Sequence, residues 1–224
     1  MKLTEHPDRE ALTLAVAQDI AESLGMALKT RDRAVLCLPG GSTPVPVYKA
    51  LAAAPLDWGR VVVLPGDERW VAPDHNRSNA RLIRRNLIDE GAAAELVPLY
   101  TEGLDPDAGA VAAAERVAPL LPLSVLLLGM GEDMHTASLF PGADKLELAL
   151  SAKAPELVAM RAPGAPEARI TLSAPVLNGA MQKHLVILGP AKREALERAE
   201  ALRDPLKAPV AAVLDGLNVH WAEG

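Results

Sequence analysis

Cysteine, aromatic side chains and long apolar runs are all scarce in this chain. Cys37 is the single cysteine, so no disulfide can form within the chain. Its place in Ala34-Val-Leu-Cys-Leu38 points to a buried strand thiol. One Phe, two Tyr and three Trp are too few to build platforms on which bases stack. Cations are outnumbered, with 23 Lys plus Arg against 29 Asp plus Glu and a net charge of −6. Nucleic-acid binders carry a basic footprint, so no nucleic-acid partner is expected, and an anionic ligand requires a local cluster of donors. No unbroken apolar stretch approaches the roughly 20 residues of a membrane span. The polar opening Met1–Glu10 lacks the apolar region of a secretion signal. These absences predict a cytoplasmic protein with no membrane partner. HxxxH spacings and clustered cysteines are also missing, so no metal is expected. His6, His75, His184 and His220 are read as structural or surface residues.

What is present is an alternation of strands and helices. The 224 residues, half of them hydrophobic, suffice for one α/β domain spanning residues 1–224. Helical periodicity runs over 8–29, with Leu12, Val16, Ile20 and Leu24 on one stripe. Further helices are predicted over 45–54, 76–89, 107–118 and 191–202. Short apolar runs predict strands over 34–38, 60–64, 96–100, 125–128, 157–161, 169–172, 184–188, 210–214 and 217–221. This order predicts a doubly wound, mostly parallel sheet with helices on both faces. We expect a monomer or small homo-oligomer.

Chemistry concentrates where strands end. Leu126–Phe140 runs from an apolar strand through Gly129 and Gly131 into Glu132, Asp133 and His135. A histidine beside acids suits proton transfer near neutral pH. Gly40, Gly41, Ser42 and Thr43 lie between a strand and a helix. There, backbone amides and hydroxyls either cradle an anion or merely turn and cap the chain. No Lys follows these glycines, so they form no Walker A loop. Gly129-Met-Gly-Glu-Asp-Met134 lacks the third glycine of a dinucleotide fingerprint. Asp67, Glu68 and Arg69 directly follow another strand, and in a parallel sheet these loops leave the same edge. Arg169 offers a bidentate clamp for phosphate, and Lys192, near a helix start, offers a second cation.

Gly40-Gly-Ser-Thr-Pro44, Asp67-Glu-Arg69, Arg77-Ser-Asn79, Gly129–Pro141, Arg169-Ile-Thr171 and Gly189-Pro-Ala-Lys192 occur in that order. Together they resemble the 6-phosphogluconolactonase family over most of the chain. The resemblance implies a fold shared with glucosamine-6-phosphate deaminases. It also implies cofactor-free hydrolysis of 6-phospho-D-glucono-1,5-lactone to 6-phosphogluconate, the second step of the oxidative pentose phosphate pathway. On this reading His135 takes a proton from water, with Asp133 or Glu132 orienting the ring. Asp67 and Arg69 line the sugar end, and the glycine loop with Arg169 and Lys192 holds phosphate. The alternatives are a sugar-phosphate isomerase or deaminase and a non-catalytic sugar-phosphate sensor. Deaminases carry Tyr where this chain has Arg69 and a glutamate where it has Phe140. With almost no leader before the first helix, no DNA-binding segment of a regulator is expected. The family usually has glycine at position 134. Met134 therefore either strains the loop or crowds the site, and crowding is favoured because the sequence shows no compensation for strain.

Overall fold

Five-residue runs of Val, Leu and Ala cannot satisfy their apolar side chains at a surface, and they form the centre of the molecule. The computed structural model describes residues 1–224. The chain begins with β1 (Lys2–Glu5), α1 (Arg9–Leu28), β2 (Ala34–Leu38), α2 (Val45–Ala52), β3 (Val61–Pro65) and β4 (Asp67–Arg69). It continues through α3 (Asn79–Ile83), β5 (Glu95–Leu96), α4 (Pro106–Val117), β6 (Val125–Leu128) and α5 (Leu146–Leu150). It ends with β7 (Leu157–Met160), β8 (Arg169–Leu172), α6 (Ala174–Asn178), β9 (Gln182–Leu188), α7 (Pro190–Leu202) and β10 (Leu217–Ala222).

Seven strands form one sheet in the order β1-β10-β9-β6-β2-β3-β5, and all six pairings are parallel. Alternate side chains of a strand face opposite ways, and the core divides accordingly. Val35, Cys37, Leu64, Leu126 and Leu128 belong to one apolar layer with residues of α4 and α7. Leu36, Leu38, Val63, Val125 and Leu127 belong to the other, with α1 and α2. The expected doubly wound sheet is therefore present. From β2 the chain continues outward to β3 and β5, while from β6 it reaches β9 and β10 on the other side. The reversal opens a crevice beyond the carboxyl ends of β2 and β6, where such folds receive ligands.

Several expectations are corrected. Asp67–Arg69 is a strand, not a loop: after Gly66 the chain leaves the main sheet and pairs antiparallel with β8, which pairs with β7. Local sequence carries no signal for that long-range pairing. Residues 210–214 lie largely in a 3-10 helix over Pro209–Val213. Pro209 cannot donate to a ladder, and Val210 and Val213 are buried at helical spacing. The helix expected over 76–89 starts at Asn79, where Ser78 accepts from the Arg81 amide, and becomes a π-helical turn over Arg84–Ile88. The strand expected over 96–100 shrinks to Glu95–Leu96, because Pro98 again lacks a donor. The polar edge strand β1 and the short helices α5 and α6 were not foreseen.

α1 carries no unbroken apolar run of span length, since Gln18, Asp19 and Glu22 interrupt it. An 18-residue window of this 20-residue helix has mean hydropathy 1.2, and the helix is long and apolar enough to cross a membrane. Leu12, Val16, Ile20 and Leu24 are instead buried against the sheet, and Asp8 caps its first turn through the Ala11 amide at 2.8 Å.

Candidate active site

The crevice holds a cavity of about 260 Å³. Gly40, Gly41, Thr43, Asp67, Arg69, His135, Arg169 and Lys192 all line it. Residues from five separate stretches are thus brought together. Ser42 is exposed and outside the lining, and Asp133 stands behind His135 rather than at the cavity wall.

The loop after β6 is held from several directions. Gly131 donates its amide to the His135 carbonyl at 2.9 Å, and Met134 donates to the Gly131 carbonyl at 3.0 Å. Thr136 Oγ1 donates to the Gly129 carbonyl at 2.9 Å. From α7, Lys192 Nζ donates to the Met130 carbonyl at 2.8 Å and Arg198 to that of Glu132 at 3.2 Å. His135 Nδ1 lies 2.5 Å from Asp133 Oδ1. That contact fixes the ring and leaves Nε2 as the nitrogen free to exchange a proton. A side chain at Gly131 would collide with the Asp133 carboxylate and the His135 ring, so glycine is required by close approach. Of the two loop acids, Asp133 meets the imidazole, and only the backbone carbonyl of Glu132 has a hydrogen-bonding partner. Phe140 lies against the histidine, ring centroids 4.2 Å apart, and beneath the Arg169 guanidinium, 5.2 Å from the centroid.

Strand alternation sorts the Asp-Glu-Arg triplet. Asp67 and Arg69 share the cavity face, while Glu68 points the opposite way. Glu68 is fully buried at 0% exposure. It accepts from the amides of Arg69, Asn79 and Ala80 at 2.7–2.9 Å and from Ser78 Oγ at 3.1 Å. Burial pushes its carboxyl above the usual range, against the pull of those amides. Glu68 therefore clamps the start of α3 and delivers Asn79 to the cavity. Asn79 donates to Asp67 Oδ1 at 3.1 Å, and Ser138 Oγ donates to Asp67 Oδ2 at 2.5 Å. Asn79 and Ser138 stand within the motifs that carry the resemblance, but neither has a charge or a spacing that marks a role. Asn79 also explains Gly40, where a Cβ would strike its carboxamide.

Cations prevail in the cavity: Arg69, Arg169 and Lys192 face one carboxylate, Asp67. Arg169 Nη1 stands 3.8 Å from Asp67 Oδ2. Burial draws the Arg169 guanidinium below its usual range, Asp67 opposes the shift, and Arg69 adds to it. Nε of both Arg69 and Arg169 is buried without a partner. Buried donors are normally satisfied, so this pair is suited to an anion. The glycine loop leads into α2, whose start has no side-chain cap. Pro44 and Pro46 remove two amide donors there, so the cradle is sparser than its glycines promise.

A crevice lined by the guanidiniums of Arg69 and Arg169 beside a histidine–carboxylate pair defines an α/β enzyme site suited to an anionic substrate. A family model described as glucosamine-6-phosphate isomerases/6-phosphogluconolactonase matches residues 7–221, and the chain belongs to this family. Within it, a 6-phosphogluconolactonase of Rhizobium meliloti is 42% identical, with 99% of this chain and 98% of that protein covered. One from Pseudomonas putida is 39% identical, covering 99% and 93%. The crystal structure of a 6-phosphogluconolactonase from Shewanella baltica superposes with a TM-score of 0.95 at 34% identity, covering 99% of this chain and 97% of that one.

Proposed function

We propose that this protein hydrolyses 6-phospho-D-glucono-1,5-lactone to 6-phospho-D-gluconate without a metal, in the oxidative pentose phosphate pathway of the cytoplasm. The observation that carries the reading is the His135–Asp133 pair at 2.5 Å, beside two arginines whose buried Nε donors are open. His135 Nε2 accepts a proton as water oxygen bonds to the lactone carbonyl carbon. The tetrahedral intermediate then collapses, the bond from that carbon to the ring oxygen breaks, and the imidazolium returns its proton to the departing oxygen. Asp133 stabilises the transient imidazolium. Arg169, Lys192 and the Gly40–Thr43 loop receive the phosphate, while Asp67, held by Asn79 and Ser138, and Arg69 meet the sugar. Phe140 supplies no carboxylate beside His135, which favours hydrolysis over the ring opening that a deaminase requires.

The test is lactone hydrolysis followed by acid release, corrected for the spontaneous rate. His135→Ala lowers turnover about 10²-fold or more, the range for a positioned general base, and retains binding of 6-phosphogluconate. Arg169→Ala chiefly raises KM for the phosphorylated lactone. Near-normal turnover by folded His135→Ala, or ammonia release from glucosamine 6-phosphate by the parent, overturns the reading.

A further inference from the structure

At the opposite edge of the sheet, three histidines stand in file. His6 follows β1, His220 lies on β10 and His184 near the start of β9. His6 Nε2 is 3.2 Å from His220 Nδ1, and His220 Nε2 is 3.1 Å from His184 Nδ1. Asp19 on α1 places Oδ2 3.9 Å from His220 Nε2. One donor atom from each of Asp19, His184 and His220 lies within 4.8 Å of the other two. Both imidazoles are buried, at 4% exposure each, whereas Asp19 is half-exposed. The group borders a cavity of about 600 Å³, whose charged wall residues are Lys2, Asp19 and Glu22. His184 turns Nδ1, not the unpartnered Nε2, toward His220 and the cluster.

We propose that Asp19, His184 and His220 bind a divalent cation of the zinc class between α1 and the β9–β10 pair of the sheet. Two imidazoles and a carboxylate suit Zn²⁺ and offer too few oxygens for Ca²⁺ or Mg²⁺. With arms of about 2.0–2.1 Å, tetrahedral ligands stand about 3.4 Å apart, and the observed 3.1 and 3.9 Å straddle that spacing. A metal-bound imidazole donates its other N–H to a fixed acceptor, and His6 Nε2 is in place to accept from His220 Nδ1. The cavity leaves the fourth position to water. The ion would tie α1 to β9 and β10. We assign it no part in the lactone chemistry, because none of Asp19, His184 and His220 lines the active-site cavity and His135 lies on the loop after β6. The ligands sit on three elements distant in sequence, which is why a search for local spacings predicts no metal.

The test uses the full chain stripped by chelator and titrated with Zn²⁺ in calorimetry and thermal melts. One Zn²⁺ per chain should bind at this site and raise Tm. Asp19→Asn, half-exposed and safe for folding, should weaken binding at least tenfold and lose the Tm shift while hydrolysing lactone like the parent. His6→Ala should weaken binding less. His135→Ala should bind as the parent does. No saturable binding, equal affinity in Asp19→Asn and parent, or loss of binding in His135→Ala overturns the proposal.

Discussion

Met134 is the residue at which an expectation reversed. Its φ is 66°, so the loop is strained where crowding had been favoured, and methionine occupies a conformation that costs a side chain about 1–2 kcal/mol. Compensation is present in three dimensions. The Val210 amide donates to the Met134 carbonyl at 3.0 Å, and the thioether packs on the core. Met134→Gly and Met134→Ala both lose that packing, but only glycine relieves the strain. Glycine's greater freedom in the unfolded chain offsets part of the relief. Met134→Gly should therefore be more stable than Met134→Ala by about 0.5–1 kcal/mol in urea unfolding, and an alanine variant equal or better would place the strain elsewhere. Glu68 makes a second prediction. Glu68→Gln sets an amide NH₂ against donors that need an acceptor, at a cost of about 1–3 kcal/mol. The parent carboxyl is raised in the folded state, so the folded protein holds that proton more tightly than the unfolded chain. Its contribution is full below the ordinary carboxylate pKa and declines as pH rises through the folded value. The stability gap between parent and variant should thus be larger at low pH than at pH 7.5.

At the scale of elements, α1 separates composition from position. Leu24 is fully buried and Leu14 is 58% exposed on the same helix. Leu24→Ala should cost about 2–5 kcal/mol, whereas Leu14→Ala should stay within about 0.5 kcal/mol, both read from urea midpoints at constant m-value. Equal effects would mean that α1 does not cover the sheet as described. The contrast also explains how a helix long and apolar enough to cross a membrane serves a folded core: its apolar stripe has a sheet to meet. Periodicity made α1, α4 and α7 legible to within a residue or two. The edge strand β1 and the five-residue helices α5 and α6 were not legible, because such short elements owe their conformation to neighbours rather than to pattern.

For the whole molecule, Cys37 is a reporter of global unfolding. It sits on β2 between β3 and β6, fully buried, and burial pushes its thiol well above the ordinary range. A thiol of this kind is inert until exposed. Alkylation in native buffer should be slow, and its rate should rise in proportion to the unfolded population as urea is added. Fast labelling of the folded protein would show that the central strands open locally.

Buried strands, helical stripes and the residue types after each strand were determined by sequence alone, because apolar periodicity and strand-end chemistry are local. Hence the doubly wound sheet, and His135, Asp67, Arg69, Arg169 and Lys192 as candidates, were readable without coordinates. Tertiary structure decided what depends on distant segments meeting. It made Asp67–Arg69 a strand by pairing it with β8, turned Glu68 away to hold Asn79, left Ser42 outside the cavity, and set Met134 at positive φ against Val210. It also gathered Asp19, His184 and His220, which no spacing along the chain connects, because the close approach of side chains is fixed by how layers pack and not by their order in sequence.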